Sequence, residues 1–86
     1  MKIIKKKIWP EYFNNIKSGK KKFELRLADF DIEGGDKLLL QEWNPETKEY
    51  TGREMEVEAK YVLKFDLDKF GQKEDIEKHG LFIIQF

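Results

Sequence analysis

Eighty-six residues, 40% hydrophobic and 40% charged, suit one small globular domain spanning residues 1–86 and leave no room for a second. The absence of cysteine excludes disulfides and thiolate metal sites, and a lone His79 cannot build a histidine cluster, so neither a metal nor another cofactor is expected. Formal charge sums to zero, yet residues 1–22 hold eight lysines against Glu11 alone, a local +7 that the rest of the chain must offset.

Residues 2–8, KIIKKKI, read as a strand with Ile4 and Ile8 on one face and Lys5 and Lys7 on the other. Its lysines would guard a sheet edge against pairing with other chains. WPEYFNNIKSG follows as a helix: Pro10 suits the first turn, Tyr12, Phe13 and Ile16 share a face, and Gly19 can take the left-handed conformation that ends it. Trp9 before the proline is either a cap over the core or a base-stacking ring.

In SGKKKFELR, Phe23, Leu25 and Leu27 alternate with Lys22, Glu24 and Arg26, which predicts a strand with Glu24 and Arg26 on one face. Such a pair, about 7 Å apart along the strand, is either a solvated ion pair or a glutamate orienting a guanidinium toward a phosphate or base edge. Strict alternation puts Lys21 on the opposite face, so all three converge only if Lys21 belongs to the turn.

Gly34, Gly35 and Asp36 mark a turn, too short for a phosphate loop, before the mostly apolar strand KLLLQEW. NPETKEYTGR reads as a loop, with Trp43 and Tyr50 bracketing its NPETKE part as a packing pair or a stacking wall, and Arg53 placed for a phosphate or for pairing with the neighbours of Glu54 on the sheet. Met55, Val57, Ala59, Tyr61 and Leu63 alternate with Glu54, Glu56, Glu58 and Lys60, a strand with one buried and one wet face. Its glutamates form a line rather than a metal cage. FDLDKFGQKEDIEKHG predicts a helical connection with Leu67, Phe70 and Ile76 inward and His79 solvated, and LFIIQF a last strand.

Five strands with few residues between them favour a strongly curved sheet closing into a barrel over a parallel α/β layer. LFIIQF is too short to span a bilayer, and MKIIKKKIWP lacks a signal-peptide core. The expectation is a cytoplasmic monomer without membrane contact.

Gly19, Lys21, Glu24 and Arg26 match GxKxxExR, the signature of ASCH domains, and the chain from Pro10 through Trp43 and YTGR resembles a small ASCH-like family of bacteria and phages. The resemblance implies an α+β, mainly β fold: a PUA-like barrel of five to six strands with one or two short helices. It implies RNA or a nucleotide-like ligand in a cleft lined by Lys21, Glu24 and Arg26, with Gly19 turning the chain into it; Lys20, Lys22 and Arg53 would add electrostatic attraction and Tyr50 a stacking ring to the same binding site. LADFD, with Ala28 and Phe30 beside Asp29, departs from the more polar run the family carries after its arginine.

One branch of that superfamily hydrolyses the amide of acetylated cytidine with the motif lysine, a hydroxyl three positions later and a distant glutamate. Lys21 is present here but Glu24 fills the hydroxyl's slot, with Ser18 and Thr51 the alternative hydroxyls by motif context. Binding without catalysis is therefore favoured, with Lys21 and Glu24 as the catalytic pair in the enzymatic alternative. A protein-interaction module whose charged cleft is only structural is the third reading.

Overall fold

The first strand forms where the sequence alternates. In the computed structural model, which describes residues 1–67 and 71–84, β1 (Ile3–Ile8) buries Ile8 and half-buries Ile4 and Lys6, while Ile3, Lys5 and Lys7 are exposed on the opposite face. Pro10 then opens α1 (Pro10–Lys17) at the position where its missing N–H leaves no bond unmade. Phe13 is the side chain this helix drives into the core, at 2% exposure. Past Ser18 the chain turns at Gly19, whose φ of +81° suits a residue without Cβ. The Gly19 N–H donates to the Ile16 carbonyl at 3.0 Å and the Lys21 N–H to the Asn15 carbonyl at 2.9 Å, so Lys21 belongs to the helix-ending turn.

β2 (Lys37–Asn44) lies parallel to β1, from Ile3 opposite Lys37 to Ile8 opposite Glu42, and antiparallel to β3 (Glu49–Glu58), giving the order β1-β2-β3. Asn44 makes the hairpin, its Oδ1 accepting the Glu46 N–H at 2.9 Å and its carbonyl the Lys48 N–H at 2.7 Å. Ile8, Phe13, Leu38 and Leu40 form the buried core, with Ile4, Ile16, Ile32, Met55 and Val57 packed around it. Helix α1 therefore covers one face of a three-stranded sheet.

The GGD turn fastens both outer strands. Asp36, 6% exposed, accepts the Lys2 N–H at 3.0 Å and the Glu33 N–H at 2.9 Å. These two backbone donors, that of Glu33 foremost, hold its carboxyl below the usual range. Gly35 donates to the Ala59 carbonyl at 2.7 Å, and Ala59 returns a bond to Asp36 at 2.8 Å.

The barrel expected from the sequence does not form. The described residues make a small α+β fold with an open three-stranded sheet and two short helices, α1 and α2 (Lys73–His79). The decisive departure is the parallel pairing of β1 with β2, reached through α1 and a long connection, the βαβ-like arrangement set aside in the sequence reading. Among the described residues, 22–27 form no strand, and Leu25 and Leu27 are 72% and 81% exposed: alternation alone does not make a strand without a partner in the sheet.

Strand β3 stops at Glu58, leaving Tyr61 and Leu63 exposed, and residues 81–84 form no strand. Leu67 is exposed rather than inward, Ile76 is half-buried, and His79 is exposed in the last turn of α2. Phe70, expected inward, and the last two residues of LFIIQF lie outside the described residues. Among the described residues no helix is long and apolar enough to cross a membrane.

Candidate functional site

The turn after α1 brings the motif together. Lys21 Nζ donates to Glu24 Oε1 at 3.0 Å, and Arg26 Nε donates to Glu24 Oε2 at 2.8 Å, so one carboxylate bridges two cations. Arg26 Nη2 reaches further, to the Lys7 carbonyl on the free edge of β1 at 2.8 Å. A side chain thus attaches this loop to the sheet. The three side chains are 14–28% exposed, close enough to the surface to meet a ligand and shielded enough to be held in place.

They line a cleft of about 810 Å³ between the end of β1, the outer side of α1 and the loop after it. Its rings come from Trp9, Tyr12, Phe23 and Trp43. Trp9 and Tyr12 stack with centroids 6.3 Å apart and planes 24° from parallel. Lys21 Nζ sits 4.9 Å from the Tyr12 centroid and 5.2 Å from that of Phe23, and Lys7 Nζ lies 4.4 Å over Trp43. Lys7, Lys20, Lys21 and Arg26 against Glu24 give the lining a net +3. Ile83, near the end of the described chain, closes part of the rim. A smaller depression of about 270 Å³ shares Trp9 and runs to Asn44 and Glu46.

Gly19, Lys20, Lys21, Glu24 and Arg26 therefore fall at or beside one cleft, while Lys22 lies next to it in sequence and is exposed. Tyr50 and Arg53 do not line it. Tyr50 faces Trp43 across the hairpin, the packing-pair arrangement. Trp9 is 51% exposed, a ring at the cleft rather than a lid over the core. Tyr12 and Phe23, read from the sequence only as members of a helix face and a strand, and Asn15, which it did not single out, supply much of the wall. The spacing of Trp9, Tyr12 and Asn15 at i, i+3 and i+6 placed them on one side of the helix.

Arg53 is engaged elsewhere. Between Gln41 and Trp43 the β2–β3 register shifts, so that Thr51, Gly52 and Arg53 stand opposite Glu42 alone. Gly52, at φ +95°, makes this bulge possible. It aims the Thr51 hydroxyl at Glu42 Oε1, 2.6 Å away, and Arg53 Nε at the same oxygen at 2.9 Å. Arg53 Nη2 bonds both Glu42 Oε2 and Asn14 Oδ1 of α1, and the guanidinium lies 4.6 Å over the Phe13 ring. Glu42 is 3% exposed. The arginine's hydrogen bonds and then that of Thr51 hold its carboxyl below the usual range, while Glu42 in turn raises Arg53. YTGR is thus a lock between the sheet and the helix.

The hydroxyls named for an amidohydrolase are occupied too. Ser18 donates to the Asn15 carbonyl at 3.2 Å and Thr51 to Glu42, so neither is bonded to Lys21.

No curated protein and no solved structure matches the chain. Residues 3–76 match a family model described as a domain of unknown function, DUF3850, a description that assigns no activity. Because that match takes in the strands, the helix and the whole of the cleft loop, well over half of the chain, the protein belongs to the DUF3850 family.

Proposed function

We propose that the cleft binds RNA or a nucleotide-like anion without transforming it. The observation that carries this reading is the convergence of Lys21, Glu24 and Arg26 in an aromatic-walled cleft of net positive charge. Glu24 accepts Arg26 Nε and the Lys7 carbonyl accepts Nη2, leaving Nη1 to donate to a phosphate oxygen. Lys20 and Lys21 add point charge, and Trp9 offers a half-exposed face to a base.

The likeness to ASCH domains rests on the sequence motif alone, since the barrel it implied does not form. Amide hydrolysis has less support: Glu24 bridges two cations, and the Ser18 and Thr51 hydroxyls are bonded away from Lys21. Tyr50 and Arg53 drop out of the proposed contacts.

An amide chemical-shift titration with short single-stranded RNAs and with acetylated cytidine, at low and moderate salt, tests the reading. Shifts at Lys21, Glu24 and Arg26 that persist in moderate salt are expected. Shifts confined to Lys2 and Lys5 and erased by salt would overturn it and point to a protein partner. Turnover of acetylated cytidine that disappears in Lys21→Ala would replace it with the enzymatic reading.

A further inference from the structure

Among the described residues, Asn15 is the one side-chain amide in the lining of the cleft, and the fold leaves its hydrogen-bonding groups unused. Asn15 sits on the cleft side of α1, half-buried, six residues after Trp9 and three after Tyr12. Its carbonyl is occupied by the Lys21 N–H and the Ser18 hydroxyl. Its side-chain amide enters no hydrogen bond among the described residues. Asn14, its neighbour, is the contrast, because its Oδ1 is held by Arg53 on the other side of the helix. An amide carries a donor and an acceptor side by side. Placed beside stacked rings and phosphate-binding cations, that pair is suited to reading the edge of a base.

We propose that Asn15 selects the base, and that the site takes an unpaired adenine nucleotide; this rests on the reading of the cleft as a nucleotide site. On its N7 edge adenine presents the N6 amino donor next to an acceptor, the complement of an asparagine amide, whereas guanine presents two acceptors there and matches the amide only by turning its O6 and N1–H edge to it, so the proposed contact is to the N7 edge. Cytosine and uracil each offer a donor next to an acceptor on the pairing edge but stack with a smaller ring on Trp9 and Tyr12. Duplexes are excluded from such a contact because a ring lodged between Trp9 and the cations must leave its own stack.

The experiment is calorimetric or shift titration of AMP, GMP, CMP and UMP into the intact protein and its Asn15→Ala and Asn15→Asp variants. Alanine is a better helix former than asparagine, and the Asn15 carbonyl bonds are backbone ones, so Asn15→Ala keeps the fold. AMP is expected to bind about 10-fold tighter than GMP, a margin typical of one bidentate base contact. In Asn15→Ala the preference of AMP over GMP disappears, and the difference left between purines and pyrimidines is that of ring stacking on Trp9 and Tyr12. In Asn15→Asp the amide donor is gone, so AMP loses its advantage and CMP, which can donate its N4 hydrogen to a carboxylate, gains relative to it.

Equal binding of AMP and GMP to the unaltered protein, unchanged in Asn15→Ala, would overturn the role of Asn15 and leave the cleft a nucleotide site. Binding of none of them, with no RNA bound either, would remove the nucleotide site itself.

Discussion

Glu42 and Glu24 are each held by an arginine and a second donor, yet they sit in opposite settings. Glu42 lies under α1 at 3% exposure, its two oxygens filled by Arg53 and Thr51, and Arg53 goes on to Asn14. Glu24 lies on a loop at a cleft, its partners Lys21 and Arg26 partly open to solvent. A buried carboxylate must have every lone pair answered, so its partners are fixed by the fold. A carboxylate at a cleft can hold cations in place and still leave their remaining donors for a ligand. The first network joins helix to sheet; the second prepares a surface.

The largest effect on stability is expected from the buried network. Glu42→Ala strands the Arg53 guanidinium, but Arg53 is 45% exposed and can turn toward water, which keeps the loss near that of one charged hydrogen-bond set, about 2–3 kcal/mol. Urea unfolding measures it, and a midpoint unchanged from the parent would mean that the lock contributes nothing. Acid should act through the same group. Because the folded carboxyl of Glu42 lies below its ordinary value of 4.5, its contribution is complete above that pH and declines as pH falls through the depressed folded value. Asp36 behaves alike below its ordinary value of 3.8. Urea midpoints between pH 7 and pH 3 should therefore fall less steeply in Glu42→Gln than in the parent; parallel curves would contradict this origin of acid sensitivity.

How much of this contrast was legible in the sequence depends on whether its cause was local. Pro10, the Tyr12–Phe13–Ile16 spacing and Gly19 bound a helix that the structure places at Pro10–Lys17. Asn44-Pro45 and the GGD turn were equally readable, since turn chemistry lies in adjacent residues. Partner choice between strands is non-local. Nothing in KIIKKKI announces a parallel partner, and the alternation of Phe23, Leu25 and Leu27 describes a strand only where another edge is present to pair with it.

The same division holds within the sites. Lys21 could join Glu24 and Arg26 only from a turn, and the bond from its N–H to the Asn15 carbonyl places it there. Glu42 gave a signal that went unread: it shares the buried parity of Leu38 and Leu40, and a carboxylate at that parity demands a cation. Arg53, weighed for a phosphate or for the neighbours of Glu54, meets the buried Glu42 of β2.

A smaller effect is expected at the bulge that aims Thr51 and Arg53. An ideal Cβ on Gly52 meets nothing within 4 Å, so Gly52→Ala tests backbone conformation alone at φ +95°. The expected cost is about 1–2 kcal/mol, read from thermal or urea unfolding. If Gly52→Ala were neutral, the bulge would not depend on glycine and the register shift would need another cause. The cleft shifts at Lys21 and Arg26 should be the same as in the parent, because the bulge lies outside the cleft.

Arg26→Ala completes the series with the smallest loss of stability and the largest loss of binding. Its ion pair with Glu24 is partly exposed, and such pairs contribute below about 1 kcal/mol. The bond to the Lys7 carbonyl adds a tie for a loop that makes no strand, so the loss should show as sharper local exchange at residues 22–27 before it shows in global unfolding. On the proposed reading RNA affinity should fall about 10-fold or more, since both the proposed phosphate donor and the partner of Glu24 disappear. Lys5→Ala is the matched control: Lys5 is exposed on the face of β1 away from the core and lines no part of the cleft. Its effect should be a small loss of affinity that vanishes with added salt, because a solvent-exposed charge attracts only through a screened field. Equal losses in the two variants would show that Glu24 holds Arg26 for the loop alone, and the two networks would then differ in depth but not in kind.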